Sequence, residues 1–411
     1  MSQSPTILEQ PTTATRPATP GSRTVSPPAA GPTLEGPHGL RFDFNHGCRV
    51  LLPEGRWRVR FSDLDTESVL FEANFGQGRV ASPHIYYQRF RIEVWRDGEH
   101  VFAHDYDATG REVLVHVHGE ALGDVIGWFS YAVKFQQAHG CRLVCAMAEP
   151  FIALFQGAYP EIRFIAHGTE DQEQTYAAYH LGVSYREGGQ VFQPCDHRLV
   201  GTHRVAAYAL GVDPADAPPR LALADDSRPI AEPYVCIAAQ STLQCKFWNN
   251  PEGWAEVVAF LKASGYRVIC IDRQRQFGPD GPVNHIPEGV EDETGDRPLQ
   301  ERARWLKHAE FFVGLASGLA WLAWAARTPV VMISGFSHPV TEFETPYRVV
   351  NYHACNSCWN DVRFTLDRTD FFWCPRHQGT PRQFECSRLI TAGAVKAAIR
   401  RIPGFARAAT P

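Results

Sequence analysis

Apolar and polar positions alternate over residues 37–112. The run Trp57-Arg58-Val59-Arg60-Phe61 and the longer run over residues 86–95 carry an apolar side chain at every second position, which is the period of a half-buried strand. Asp97-Gly98 lies between two such runs and is a hairpin signal. The pattern predicts an N-terminal antiparallel β domain over residues 37–112, built as a sandwich or a half-barrel.

A different alternation begins at residue 113. Short apolar runs at residues 113–117 and 142–146 flank a stretch at 125–137 with helical spacing, and units of this length build parallel sheets. The alternation restarts at residue 234, after a stretch rich in Pro, Asp and Ala over 213–232. We predict two Rossmann-like halves, residues 113–220 and 221–350, with ligands bound at the carboxyl ends of their strands in the cleft between them.

The two ends of the chain differ from this core. Residues 1–36 hold seven Pro with many Thr and Ser, and such a composition predicts a disordered tail. Residues 351–411 are predicted to form a cysteine-rich segment followed by a C-terminal helix. No apolar stretch is long enough for a membrane span, and no basic region precedes an apolar run as in a signal peptide, so we expect a cytoplasmic location.

Composition limits the classes of function that the protein can have. The 411 residues carry a net charge of −5, which argues against a general nucleic-acid binder or a basic membrane-surface protein, since both need an excess of Lys and Arg. Eleven Cys are an odd number without the spacing of a disulfide framework. Reduced thiols, some of them bound to a metal and the others in the core, are the better interpretation.

Asp124 stands between an apolar strand and a helix. Asp at such a position is a favoured helix N-cap. A carboxylate at the carboxyl end of the first strand of the α/β region also faces the cleft, where it could act as a general base toward an acceptor hydroxyl. Glu120, Asp105 and Asp107 are weaker candidates for that role.

A second group of residues suits a phosphate or pyrophosphate. Ser241, Thr242 and Lys246 follow the first strand of the second half, and short hydroxyl donors with a compact ammonium match phosphate oxygens. A solvated polar loop is the alternative. Ser317-Gly318 joins a later strand to a helix, where free N–H groups of a helix N-terminus bind anions.

Four cysteines cluster near the C-terminus, at 355, 358, 374 and 386, among aromatic side chains. Four thiolates complete a tetrahedral Zn or Fe site and leave no open position, so the predicted role of Cys355, Cys358, Cys374 and Cys386 is structural. Free or disulfide-bonded thiols are the alternative interpretation, and His353 and His377 are reserve ligands.

The order of these motifs resembles the ADP-heptose glycosyltransferases of the lipopolysaccharide heptosyltransferase type. The similarity lies in Leu122-Gly123-Asp124, in Ser241-Thr242 with Lys246-Phe247-Trp248, and in the run Ser317 to Ala323. That family usually has Asp-(Ser/Thr)-Gly-Leu-x-His, whereas Ala316 and Trp321 replace the Asp and the His here. These two departures concern the contacts of the transferred sugar.

The N-terminal β domain and the four-Cys segment resemble a narrower group, the bacterial autotransporter heptosyltransferases, which O-heptosylate serines of autotransporter passenger domains. The resemblance covers roughly residues 38–400. It implies a GT-B fold, an ADP-heptose donor, iron held by the Cys cluster, a dodecamer, Asp124 as base and Lys246 on the donor pyrophosphate. We expect an inverting O-glycosyltransferase, with Ser241, Thr242, Ser317 and Gly318 also binding the donor. A lipopolysaccharide-type heptosyltransferase and a catalytically inactive GT-B scaffold are the alternatives.

Overall fold

The computed structural model describes residues 31–119, 121–170, 175–183, 186–187, 190–281 and 283–405. Residues 1–30 of the predicted tail lie outside the described residues, as does Glu120. Among the described residues, no helix is long and apolar enough to cross a membrane.

The N-terminal region consists of short strands. They are β1 (Leu34–Glu35), β2 (Arg41–Asn45), β3 (Arg49–Leu52), β4 (Trp57–Asp63), β5 (Val69–Phe75), β6 (Gly78–Ala81), β7 (Phe90–Arg96) and β8 (Glu99–Asp105). Four of them form an antiparallel sheet in the order β5-β4-β7-β8. Trp57, Val59 and Phe61 are buried on one face of β4, as the alternation predicts.

The other N-terminal strands do not build a sandwich or half-barrel of their own. They extend the sheet of the first α/β half, whose order is β11-β10-β9-β12-β2-β3-β6, with β1 paired to β2. The predicted sandwich or half-barrel is therefore wrong. Residues 34–35 are also ordered, within the predicted tail, because β1 pairs with β2.

The first half supplies the remaining strands of this sheet and the helices around it. Its elements are β9 (Glu112–Val117), α1 (Leu122–His139), β10 (Arg142–Met147), α2 (Glu149–Phe155), β11 (Arg163–Ala166), β12 (Ala177–Leu181), β13 (Arg186–Glu187), β14 (Gln190–Val191), α3 (His197–Val200) and α4 (Arg204–Leu210). The strands β11, β10, β9, β12 and β2 run parallel, so their carboxyl ends share one edge.

The second half is a parallel sheet in the order β19-β16-β15-β20-β21-β22. Its elements, with the C-terminal helices, are β15 (Tyr234–Ala238), α5 (Gly253–Ala263), β16 (Arg267–Cys270), β17 (Gln276–Phe277), β18 (Asn284–His285), β19 (Glu291–Asp292), α6 (Leu299–His308), β20 (Phe312–Leu315), α7 (Gly318–Ala325), β21 (Val330–Ile333), β22 (Arg348–Val349), α8 (Glu385–Arg388) and α9 (Ala392–Arg400). Residues 211–233 between the halves carry no helix or strand.

The halves meet through α1 and α7. Gly123 and Gly127 lie one turn apart on α1, and the indole of Trp321 on α7 packs against both. Gly318 approaches α1 so closely that a Cβ there would lie 2.9 Å from Cβ of Leu122. This contact brings the N-termini of the two helices together at the mouth of the cleft.

Candidate active site

A cleft of about 320 Å³ opens where α1 and α7 begin. Five of the six residues predicted from the sequence for the base and for donor binding line it, and they come from both halves: Asp124, Thr242, Lys246, Ser317 and Gly318. Ser241 is half-buried beside Thr242 but does not belong to the lining. The weaker candidates Asp105 and Asp107 do not line the cleft either, and Asp105 is paired with Arg91 at 2.7 Å.

Asp124 is the third residue of α1 and not its N-cap. The helix begins at Leu122, and Ala121, with φ −90° and ψ 125°, is the capping residue, so the predicted N-cap role is wrong. The carboxylate lies in the first turn, where the helix dipole favours negative charge. It is half-buried and lines the cleft, the position that a general base needs.

The N-terminus of α7 faces the same cleft. Ser317 is an extended N-cap and Gly318 is the first helical residue. Ala121, Ser317 and Gly318 all line the cleft, so two helix N-termini present partial positive charge to one volume. Such an arrangement suits a diphosphate.

The loop after β15 delivers Thr242 and Lys246. Asp272 fixes the start of this loop, because its carboxylate accepts hydrogen bonds from the backbone N–H groups of Ala239 at 2.7 Å and Gln240 at 3.3 Å. Burial raises the pKa of Asp272 to about 6. A 3₁₀ turn over Gln244–Lys246 then places Nζ of Lys246 5.6 Å from the ring centroid of Phe336, in the cleft wall.

His203 is a cleft residue that the sequence did not reveal. Its Nε2 lies 2.9 Å from Asp216 Oδ1 and its Nδ1 lies 3.3 Å from the carbonyl oxygen of Thr341. Both oxygens are acceptors, so the tautomer of the ring decides which of its nitrogens donates.

The Asp216 carboxylate that contacts His203 has further hydrogen-bond partners. Burial opposes the ionisation of Asp216, yet the hydrogen bond from His203 and the backbone N–H of Glu344 keep its pKa below the usual value. Arg204 also donates to this carboxylate, at 3.1 Å. His203 and Arg204 therefore both contact the Asp216 carboxylate behind the cleft wall.

Two further charged residues of the lining were missed by the sequence analysis. Arg368 is exposed at the cleft and comes from the cysteine-rich segment. Glu342 is buried, accepts a hydrogen bond from Ser337 at 2.6 Å and pairs with Arg348 at 3.0 Å. Neither belongs to a sequence motif, because each reaches the cleft only through tertiary structure.

Trp321 and Ala316, the two departures from the family pattern, also line the cleft. The indole is 6 % exposed and contacts His203 and Phe343 edge-on, with ring centroids 5.1 Å and 5.0 Å apart. Trp321 thus takes the place of a polar side chain and fills the space between α1 and α7.

The four predicted cysteine ligands line one small cavity beside the cleft, together with Cys245. Cys245 was predicted to be a core thiol, so it extends this group. Burial, together with the neighbouring Cys355 thiol, raises the pKa of Cys358 to about 12. Four or five sulfur donors around one cavity are the ligand type of a thiophilic metal ion, whose charge would stabilise the thiolates. The ligand atoms that lie within 4.8 Å of one another here are those of Cys355, His377 and Glu385, so the other sulfurs would move inward on binding. His377 also lines this cavity, whereas His353 is exposed and outside it.

Two Rossmann-like halves around a ligand cleft, with the added N-terminal strands, define the class of this protein as a GT-B glycosyltransferase. Family models agree with that class: the N-terminal domain of glycosyltransferase TibC matches residues 36–98, and glycosyltransferase family 9 (heptosyltransferase) matches residues 192–365.

Curated relatives match nearly the whole chain. The autotransporter heptosyltransferase TibC of Escherichia coli O78:H11 is 51% identical, over 92% of this chain and 93% of TibC. The inactive autotransporter heptosyltransferase BimC of Burkholderia thailandensis is 50% identical, over 94% of this chain and 91% of BimC. A crystal structure of dodecameric, iron-containing TibC in complex with ADP-D-β-D-heptose superimposes with a TM-score of 0.86 at 49% identity, over 94% of this chain and 100% of that chain. The chain belongs to the autotransporter heptosyltransferase family, and the predicted fold class and enzyme class are confirmed.

Proposed function

We propose that this protein transfers heptose from ADP-heptose to serine hydroxyls of an autotransporter passenger protein in the cytoplasm. One observation carries the proposal: Asp124 and the phosphate-binding groups Lys246, Ser317 and Gly318 line a single cleft. The structural similarity to TibC in complex with ADP-D-β-D-heptose supports the choice of donor.

The donor diphosphate binds where α1 and α7 begin. The backbone N–H of Gly318 and the hydroxyl of Ser317 donate to phosphate oxygens, since the backbone N–H of Ser317 already donates to the carbonyl of Leu315 at 2.8 Å. The Lys246 ammonium supplies a full positive charge. Thr242 adds a hydroxyl donor. Ser241 precedes Thr242 but does not line the cleft, so we assign it no direct contact with the phosphates. Because charge accumulates on the leaving diphosphate, these donors stabilise the transition state more than the ground state.

The acceptor serine enters beside Asp124. Its oxygen forms a bond with the anomeric carbon, while the bond from that carbon to the phosphate oxygen breaks and ADP leaves with the electron pair. Asp124 accepts the hydroxyl proton. The base and the attacking oxygen lie on one face of the anomeric carbon and the leaving group lies on the opposite face. The configuration at that carbon is therefore inverted.

The cysteine-rich segment is proposed to hold iron through Cys355, Cys358, Cys374 and Cys386. Support comes from the shared cavity of these thiols and from the iron content of TibC. Four thiolates leave no open coordination position, so the ion would contribute folding energy. The dodecameric state of TibC supports a homo-oligomer of the same kind.

Incubation with ADP-heptose and a serine-rich passenger fragment, followed by intact-mass measurement, tests the proposal. We expect the fragment to gain one heptose residue per modified serine, and peptide fragmentation should assign the sugar to serine oxygens. A parallel incubation with lipopolysaccharide core as acceptor separates this function from the lipopolysaccharide-type alternative. Modification of the core alone would overturn the proposal.

A catalytically inactive scaffold is the second candidate. The inactive autotransporter heptosyltransferase BimC is 50% identical to this chain, and Ala316 and Trp321 depart at the cleft from the pattern of the lipopolysaccharide heptosyltransferases. An unmodified fragment combined with intact binding of that fragment would favour the scaffold.

A further inference from the structure

Histidines gather at the carboxyl edge of the first sheet, apart from the groups used above. His116 lies in β9 and His118 directly after it, His180 lies in β12 and His167 follows β11. His116 and His180 are opposite each other in the register of β9 and β12. His116 and His118 lie two residues apart in extended backbone, so their side chains lie on the same side of the sheet.

The rings of three of these histidines lie close together. The centroids of His116 and His180 are 4.5 Å apart, and those of His118 and His180 are 5.2 Å apart. Nε2 of His118 and Nδ1 of His180 share a hydrogen bond at 2.9 Å, which a bound ion would replace. One ring nitrogen from each of the three lies within 4.8 Å of the others. The rings are nearly parallel, with interplanar angles of 2–7°, so binding one ion requires them to turn toward it.

Within the described part of the chain, the buried ring of His116 makes no hydrogen bond. Its exposed fraction is 0 %, and neither ring nitrogen has a hydrogen-bond partner among the described residues. Oε1 of Glu170 lies 3.4 Å from Nδ1 of His116 and is likewise buried without a hydrogen bond within the described part of the chain. Buried polar atoms without partners are costly and require an explanation.

We propose that His116, His118 and His180 bind a divalent transition-metal ion. Glu170 then accepts a hydrogen bond from Nδ1 of His116 and leaves Nε2 of that ring for the ion, the arrangement that orients histidine ligands in many zinc sites. Three imidazoles favour Zn²⁺ or a neighbouring first-row metal. His118 is half-buried and His167 is exposed, and the two mark the side from which the ion enters.

This site is distinct from the cysteine cavity in both place and chemistry. The cysteine cavity belongs to the C-terminal segment and offers sulfur ligands, whereas the histidines belong to the first sheet and offer nitrogen. The ion would connect β9 to β12, and its binding does not depend on heptose transfer.

Zinc loading of untagged, full-length, iron-containing protein tests the proposal. We expect about one Zn²⁺ per chain in addition to the iron, measured by elemental analysis after removal of unbound metal. Zinc-edge X-ray absorption should then show nitrogen or oxygen neighbours at about 2.0–2.1 Å and no sulfur at about 2.3 Å. Sulfur neighbours, or no zinc beyond the level of a denatured control, would overturn it.

Variants identify the ligands. His118→Gln changes a half-buried side chain and is the variant most compatible with folding; it should abolish zinc binding while the iron content stays unchanged. Glu170→Gln should weaken zinc binding about 10–100-fold, as loss of an outer-shell partner does. His285→Gln, at an exposed histidine, is the matched control and should bind zinc like the wild type. Wild-type zinc affinity in His118→Gln would refute the assignment.

Discussion

The indole of Trp321 lies directly over Gly123, so that a Cβ added to this glycine would sit 2.6 Å from Cδ1 of the ring. The indole has little room to move away, because His203 and Phe343 contact it edge-on. A glycine on α1 and a tryptophan on α7 therefore set the distance between the two halves of the enzyme.

Gly123→Ala should destabilise the protein. Alanine gains up to about 1 kcal/mol in helix propensity, but overpacking against a fixed ring costs about 1–3 kcal/mol. We expect a lower urea midpoint for Gly123→Ala in the wild-type background. In a Trp321→Leu background the clash is relieved, so the same change should be neutral or stabilising. Equal effects in the two backgrounds would show that Trp321 is not what Gly123 accommodates.

Asp124→Asn should reduce kcat about 10²–10⁴-fold, the range that general-base catalysis contributes, because the amide cannot accept the serine proton. Donor binding and the melting temperature should change little. Glu149→Gln is a matched control, since Glu149 is an exposed acidic residue in the first turn of α2 and lies outside the cleft. Near-wild-type turnover by Asp124→Asn would remove Asp124 from the reaction.

Lys246→Ala should lower kcat/KM about 10–100-fold, because a hydrogen bond to a charged group contributes about 1.5–3 kcal/mol. ADP binding, measured by calorimetry, should weaken in parallel and become less dependent on salt. Lys307→Ala, at a lysine paired with Asp226 on the surface, is the control. Unchanged ADP affinity in Lys246→Ala would contradict the phosphate role.

Cys358→Ser should lower the iron content of the purified protein to less than about a tenth of the wild-type value, because loss of one thiolate opens the coordination shell. We expect impaired folding or assembly before any effect on chemistry. Cys195→Ser changes a half-buried thiol outside the cavity and should retain the metal. Retention of full iron by Cys358→Ser would exclude Cys358 as a ligand.

The stability of the second half should depend on the ionisation of Asp272. Its pKa is raised to about 6 by burial, against about 3.9 in an unfolded chain. The folded state therefore holds the proton more tightly, and the stabilisation is present below pH 4 and is lost as the pH rises through 6. Relative to Asp272→Asn, the wild type should lose about 1.4 kcal/mol per pH unit in that window. Urea unfolding of both proteins at pH 4.5 and pH 7 measures this difference, and parallel pH profiles would contradict it.

Much of the α/β architecture could be predicted because buried parallel strands are continuous apolar runs. Residues 113–117 and 142–146 correspond to β9 and β10 almost residue for residue. The joining of β2 to β12 could not be predicted, because nothing in the local pattern of residues 41–45 identifies a partner in a distant part of the chain.

The same distinction holds for the cleft. Asp124 and Lys246 follow predicted strands, so their place at a strand end could be inferred from sequence. His203 and Arg368 come from the start of α4 and from an irregular segment, and only tertiary structure brings them to the cleft. The N-cap prediction for Asp124 failed because a helix can begin at Leu122 with an extended Ala121, although alanine is a poor capping residue.

The continuous first sheet has a consequence for the order in which the chain folds. Phe44 in β2 is paired with Ala177 in β12, a residue that a ribosome adding about 5–20 residues per second makes on the order of ten seconds later. During that interval β1 covers only Arg41 and Phe42 on this side of β2, so the edge at Phe44 and Asn45 is open, the kind of surface that pairs with other chains. An N-terminal fragment that ends before β12 would keep this edge permanently, so a truncation of this protein should be placed after residue 181.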